Sequence, residues 1–302
     1  VSVPLVDIRL RSKISKQEMD EKIAKILTDA DYNILLTGPA YVRKPNGSPL
    51  CVYLPGAMKD VVTDEVYTIL HSLWNAVSKN RGMAAGSVRV KRNGQNRTYA
   101  KDVPSAIIGA IDPGGIYRYC RLTAWTGDNL PQWKNLQPFL IQVARYLEEY
   151  VPDRYANQLA EAKASKPEWV VPGTPFSTVT VNNTYPTGVH TDKGDLDKGF
   201  STIACIRRGE FTGGRLTFPE YRVAVDLQDG DLILMDAHEF HGNTAIVCAC
   251  GNVLDKYCKD CGAERISVVS YFRTKVTDCG TADEELDRAV SVREKRNDAV
   301  TV

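Results

Sequence analysis

Histidine occurs four times in 302 residues, and His190 stands two residues before Asp192 in TYPTGVHTDKGD. Residues two apart on an extended strand point to the same face, so this imidazole and carboxylate can converge on one point. The segment GDLILMDAHEFHGN adds His238 and His241 just after an apolar run. Two histidines and one carboxylate fill three positions around a metal and leave others open. That is the donor set of non-haem Fe(II) centres that bind oxygen and a cosubstrate. His241 is the expected third donor, because it ends the run beside a glycine, where backbone can approach a site closely. His238 is expected beside the centre, fixing a ligand or touching substrate. The bland alternative is a set of unrelated surface histidines.

An oxygen-activating iron needs a source of electrons. 2-Oxoglutarate would chelate the metal through its keto acid, and its distal carboxylate would want a fixed bidentate cation, for which arginine is suited. Arg265 leads the apolar strand RISVVSYF and is the expected anchor, with Arg273 at the far end as the alternative. Eight cysteines add a second constellation. Cys51, Cys120, Cys205 and Cys279 are scattered, whereas CACGNVLDKYCKDCG brings Cys248, Cys250, Cys258 and Cys261 together. Two close pairs of thiolates suit a tetrahedral structural zinc, closed and therefore not catalytic. Reduced free thiols come next, and a disulfide or redox role last. Clustered thiols of this kind fit a reducing compartment.

The rest of the chain must position these groups. Lysine and arginine total 38 against 37 acids, a formal net charge of +1, so any anionic partner is met by a local patch. One such patch is the run KNRGMAAGSVRVKRNGQNRTYAK, which no acid interrupts. Arg89, Lys91, Arg92 and Arg97 within it are candidate DNA-phosphate contacts, against the plain reading of a solvated basic loop. No stretch is long and apolar enough for a membrane span. The first residues lack the basic-then-apolar layout of a signal peptide, so an intracellular location, cytoplasm of a host or nucleus, is expected. SKQEMDEKIAKIL starts as a capping box and predicts a short helix. VTDEVYTILHSLWNAVSK predicts a helix whose inward face carries Val62, Val66, Ile69, Leu70 and Leu73, with His71 in a structural role. NLQPFLIQVARYLEEYVPDRYANQLAEAKAS predicts one or two helices broken near Pro152. From Phe176 onward short strands follow, from FSTVTVN to RISVVSYFRT. Their spacing after a helical half predicts an antiparallel barrel or sandwich with helices on one face.

NNTYPTGVHTDKGD, FTGGRLTFPEY, GDLILMDAHEFHGNTAI and RISVVSYFR resemble the conserved blocks of Fe(II)/2-oxoglutarate dioxygenases. More narrowly they resemble the TET/JBP family, which oxidises the 5-methyl group of pyrimidine bases in DNA. LLTGPAYVRKPNGSPLCVYLPGA and RGMAAG resemble the N-terminal region of its thymine-hydroxylating base J branch and phage relatives. The similarity covers about residues 30 to 275. It implies an α+β, mainly β chain with a double-stranded β-helix (jelly-roll) core and flanking N-terminal helices. Expected boundaries are one dioxygenase domain over 1–280: a helical and basic N-terminal region over 1–170, then a core of about 171–280 with the cysteine insertion at 248–261. A charged tail follows at 281–302.

The resemblance also implies His190, Asp192 and His241 on iron, Arg265 on 2-oxoglutarate, and Asn182 or Asn183 near the cosubstrate or iron. Oxygen is the implied cosubstrate, with ascorbate as an accompanying reductant. The implied substrate is a 5-methylpyrimidine flipped out of duplex DNA, with Tyr185, Phe211 and Phe240 as candidates to stack on it. Conversion of 5-methylcytosine to 5-hydroxymethylcytosine is put ahead of thymine to 5-hydroxymethyluracil. Thymine is everywhere in DNA, and acting on it calls for a targeting device that the sequence does not display. The competing readings are a 2-oxoglutarate oxygenase of proteins or small molecules and a zinc-stabilised DNA-binding module.

Overall fold

The computed structural model describes residues 4–300 except 80, 87–88, 93–94, 99–100 and 116, and describes 89–92, 95–98 and 296–300 by backbone alone. The chain forms two compact units. One comprises 1–106, 181–193 and 202–269, and the other 107–180, 194–201 and 270–302.

Two of the four sheets among the described residues carry the core strands. The larger runs in the order Val6–Arg9, Ala40–Arg43, Pro49–Leu54, Asp231–Met235, Ser201–Arg208, Glu264–Tyr271, Thr178–Asn183, Val103–Ile111, Val77–Ser78. The smaller runs Gly242–Asn243, Leu216–Phe218, Val223–Val225, Ile34–Leu36. Along the chain, Thr178–Asn183 belongs to the larger sheet, and His190 then pairs singly with His241 beside the smaller one. Ser201–Arg208 returns to the larger. Leu216–Phe218 and Val223–Val225 lie in the smaller, Asp231–Met235 in the larger, Gly242–Asn243 in the smaller and Glu264–Tyr271 in the larger. This alternation is the double-stranded β-helix, or jelly roll, that the family resemblance implies, and it makes specific the barrel or sandwich expected from the β-rich second half.

The sequences explain the strands. Ile, Val, Leu and Phe dominate them, residues that fit a pleated, buried surface. Ile203 and Cys205 pack with Leu216, Phe218, Val223, Val225, Ile233 and Met235 in one core. Fully burying a Val, Leu or Phe contributes roughly 1.5–3 kcal/mol. The helix expected from VTDEVYTILHSLWNAVSK covers only Asp64–His71; Thr63 caps it, Val66, Ile69 and Leu70 face inward, and Val77–Ser78 at the end of the expected span is a strand. His71 plays the structural role expected of it, bonding the buried Glu264 at 2.8 Å.

A second expected helix is also cut short. The capping box at Ser15 starts a helix, but it ends at Asp20 instead of running through IAKIL. Beyond it, Ala24 N donates to Val189 O at 2.8 Å, Val189 N to Lys25 O at 3.0 Å and Leu27 N to Asn243 O at 2.9 Å. Pairing with the strand that carries His190 outcompetes the intrinsic helical preference of this segment.

The second unit holds the helices Leu130–Tyr150 and Pro152–Ala164, divided at Pro152 as expected. The charged tail forms the helix Ala282–Val300. Near its start the buried Glu285 accepts from Cys120 N and Gly280 N, both at 2.7 Å. Cys120 and Cys279, read from sequence only as scattered, form a disulfide across 159 residues, their Cα atoms 5.8 Å apart. Tertiary packing with Ala110, Trp169, Phe272 and Val276 brings the two sulfurs together, and nothing in their local sequence signals it. Among the described residues, no helix is long and apolar enough to cross a membrane.

Candidate metal and cosubstrate site

His190, Asp192 and His241 each place a donor atom within 4.8 Å of the other two. The backbone does most of this work. His190 N donates to His241 O at 2.9 Å and His241 N returns the bond at 3.0 Å, so both imidazoles rise from one bridged pair. Asp192 N is held by Ala237 O at 2.9 Å. Each ring is then fixed by its own carbonyl: His190 Nδ1 lies 2.8 Å from Gly188 O, and His241 Nδ1 lies 2.9 Å from Glu239 O. A carbonyl can only accept, so both Nδ1 atoms carry the proton and both Nε2 lone pairs stay free. Those Nε2 atoms lie 3.5 and 3.6 Å from the two Asp192 oxygens. Adjacent donors about 2.1 Å from one ion stand roughly 3 Å apart, so a small inward movement closes the set on a metal.

The electrostatics suit metal binding. Burial disfavours the Asp192 carboxylate, but its surroundings of His190, His241 and Arg81 outweigh it and hold the group well below the usual carboxylate range. Burial, then His190, depress His241 to about 4 against the pull of Asp192. Its neutral form, the one that ligates, is therefore favoured.

A buried polar network braces the turn before His241. Lys44 Nζ lies 2.8 Å from both Asp236 and Glu239, and Tyr221 donates to Glu239 at 2.9 Å. Glu239 supplies the carbonyl that orients His241. His238 lies outside the converging set, its Nδ1 3.4 Å from Asp236. Lys44 was missed in the sequence: it is an unremarkable lysine before a PNG turn, 192 residues from Asp236.

Arg265 opens the strand Glu264–Tyr271 and is buried. Its NH1 lies 2.5 Å from Ser267 Oγ, and among the described residues it has no carboxylate partner. Gly214 makes room for the guanidinium stem, since a Cβ there would lie 3.1 Å from Arg265 Cδ. A buried guanidinium without an acid is suited to receiving one. Ser267 shares its strand face, and that two-residue spacing was a readable signal. Arg273, the alternative, already holds Asp112 at 3.0 and 3.2 Å.

The two asparagines differ. Asn182 Oδ1 accepts from Arg81 at 3.1 Å and Ser105 at 2.7 Å. Asn183 is buried, its amide donating to Glu264 and its oxygen accepting from Thr184. Phe211 and Tyr185 are buried, and Phe240 packs against Met19, Leu27 and Val189. Cys248, Cys250, Cys258 and Cys261 also gather within 4.8 Å. Cys258 Sγ is 4.0 Å from Cys248 and 3.3 Å from Cys261. Arms of about 2.3 Å around zinc would space tetrahedral sulfurs about 3.8 Å apart, so the cluster fits that ion. In the basic run, Arg89–Arg92 and Gln95–Thr98 pair as an antiparallel hairpin, but the side chains of Arg89, Lys91, Arg92 and Arg97 lie outside the described residues.

A jelly roll with these donors at one end of its strands belongs to the iron- and 2-oxoglutarate-dependent oxygenases. The chain is a member of the Tet_JBP family, described as the oxygenase domain of the 2OGFeDO superfamily, whose profile matches residues 114–274. It is 26% identical over 301 residues to the thymine dioxygenase JBP1 of Trypanosoma brucei brucei (strain 927/4 GUTat10.1), covering 98% of this chain and 32% of the relative. It is 36% identical over 149 residues to the thymine dioxygenase JBP1 of Crithidia fasciculata, covering 48% of this chain and 18% of the relative. The chain thus spans about a third or less of the length of these curated relatives. A solved structure of NgTET1 in complex with 5mC DNA shares the fold, with TM-score 0.52 and 13% identity over 91% of this chain and 98% of that one.

Proposed function

We propose that this chain hydroxylates the 5-methyl group of a pyrimidine base in DNA. The reading rests above all on the convergence of His190, Asp192 and His241 with both Nε2 atoms free. Those three residues would hold Fe(II) on one side and leave its other positions open. Arg265, with Ser267, would take the distal carboxylate of 2-oxoglutarate. Bound iron and 2-oxoglutarate supply the oxidising power: one atom of O2 enters the methyl group, the other enters succinate, and carbon dioxide leaves. The chain's own role is to fix the donors, keep the imidazoles in the Nδ1–H form, and orient the methyl group. In duplex DNA the base would be flipped out to reach the site.

Thymine is the favoured base, with 5-methylcytosine second. This reverses the order expected from sequence. It is supported by the thymine dioxygenase that aligns over 98% of the chain. Incubating the iron-loaded protein with thymine duplexes and with 5-methylcytosine duplexes, followed by nucleoside mass spectrometry, tests the reading. Hydroxymethyluracil with matching succinate is expected. Hydroxymethylcytosine alone from an equal mixture would restore the other order, and neither product would remove DNA bases as the substrate.

Zinc on the four cysteines would be structural, with no open position. Purified protein should carry about one zinc besides iron. A Cys258→Ser, Cys261→Ser double variant should lose it and melt at lower temperature, since a structural metal contributes folding free energy. Elemental analysis finding no zinc in protein prepared without chelator would count against the site. For the hairpin, neutralising Arg89, Lys91 and Arg92 together should weaken DNA binding and flatten its salt dependence, each lost phosphate contact lowering the slope by about 0.9. Unchanged binding across several salt concentrations would remove these residues from the DNA contact.

A further inference from the structure

Arg265 meets no acid among the described residues, so the direction of its guanidinium is set by Ser267 and by the backbone that carries it. One residue holds that backbone on both sides. Thr184 N donates to Arg265 O at 2.7 Å, and Arg265 N donates to Thr184 Oγ1 at 3.0 Å. Thr184 is 1% exposed, and its φ of 53° lies in the left-handed region. A β-branched residue is a rare occupant of that region. Such strain persists only where the surroundings over-determine it, and it gathers at functional sites.

The residue before Arg265 is gripped as firmly. Glu264 is fully buried. A carboxylate can only accept, and three donors meet it. Tyr67 OH lies 2.9 Å from Oε2, His71 Nδ1 lies 2.8 Å from Oε1, and the Asn183 amide donates to Oε1. Tyr67 and His71 stand four apart on the helix Asp64–His71 and so share a face. Asn183 in turn accepts from Thr184 Oγ1 at 2.8 Å. The two grips are therefore one, a corner at 183–184 that binds Glu264 and Arg265 together. The cysteine loop backs it: Tyr257 meets the His71 ring edge-on at 5.3 Å, and Cys258 N donates to Ala263 O at 3.1 Å, one residue before Glu264.

Stability alone does not account for this arrangement. Buried charged groups can often be exchanged for packed apolar ones without loss, and a threonine at positive φ costs free energy. Both costs fall on the one corner that carries the cosubstrate anchor. We infer that Thr184 and Glu264 are positioning residues for 2-oxoglutarate: they set the backbone from which Arg265 reaches the distal carboxylate, and they act through Arg265 instead of on the cosubstrate. This inference rests on the reading of Arg265 as the anchor.

Three variants of the full chain test it. Thr184→Ala removes the hydroxyl, Thr184→Ser retains it, and Tyr67→Phe removes one donor to Glu264 while keeping the ring. KM for 2-oxoglutarate and kcat are read from succinate release by iron-loaded protein. Kd for 2-oxoglutarate is read by calorimetry on manganese-loaded protein without oxygen. KM and Kd should rise about five- to tenfold in Thr184→Ala and about two- to threefold in Tyr67→Phe, with kcat at saturating cosubstrate and metal content unchanged. Thr184→Ser should stay close to wild type. In an Arg265→Ala background, Thr184→Ala should add nothing, because a residue that acts through Arg265 then has nothing to act on. Lower melting temperatures with unchanged KM and Kd would overturn the proposal in favour of a folding role. Additive losses in the double variant would overturn it by giving Thr184 a contact of its own with the cosubstrate. If Arg265→Ala raises KM while Thr184→Ala and Tyr67→Phe do not, this inference alone fails; if Arg265→Ala leaves KM unchanged, the anchor reading fails and this one with it.

Discussion

The Asp192→Ala protein is expected to fold, to retain little iron and to form no hydroxymethylated base. The substitution spares the backbone that shapes the site: Ala237 O binds the Asp192 amide, not its side chain, and the reciprocal His190–His241 bonds are untouched. What disappears is the one anionic donor, whose oxygens lie 3.5 and 3.6 Å from the two Nε2 atoms. Disturbing residues that merely orient metal ligands costs about 10–100-fold in affinity or activity, so loss of a ligand should exceed that. His241→Ala should behave alike. His238→Ala should keep its iron, because that ring turns to Asp236. Elemental analysis and nucleoside mass spectrometry check all three variants. Full turnover by Asp192→Ala would remove the assignment, and exchanged behaviour of the two histidine variants would move the third donor to His238.

Arg265→Ala should raise the 2-oxoglutarate requirement more than tenfold while leaving iron content largely intact. Truncating one partner of a buried, hydrogen-bonded charge pair commonly costs about 2–5 kcal/mol, and each 1.4 kcal/mol is a factor of about ten. Arg273→Ala should do something different: it strips Asp112 of its bidentate partner, so the melting temperature should fall with the cosubstrate requirement unchanged. Titrating 2-oxoglutarate against succinate release separates the two. A cosubstrate defect in Arg273→Ala and none in Arg265→Ala would transfer the role.

The site was legible where chemistry and spacing coincide. A histidine two residues before an aspartate, and a second histidine after an apolar strand, share a strand face and a strand end, and the fold brings them to one point. The cysteine pairs were legible for the same reason, since each lies within one tight turn. Groups whose partners come from far along the chain stayed hidden. Lys44 meets Asp236 only in the folded core, and Cys120 finds Cys279 only after 159 residues. Arg81 could be seen as a member of a basic run, but not as the one that turns toward Asn182. The segment after Asp20 misled because its helical pattern was genuine locally, and strand pairing to Val189 prevailed. The order of the two candidate bases lay beyond residue spacing altogether, because no local pattern marks which atoms a base would meet.

His190 and His241 occupy a single rung of the ladder, joined by backbone bonds of 2.9 and 3.0 Å. The bite of the two imidazoles is thus inherited from the inter-strand spacing, a dimension common to all antiparallel sheets. When the sheet breathes, the two nitrogens travel as a pair. An incoming ion meets a chelate that is already assembled, and the entropy of bringing the rings together was spent when the strands paired. Loops around the mouth can then lengthen or change composition without detuning the jaw that grips the ion.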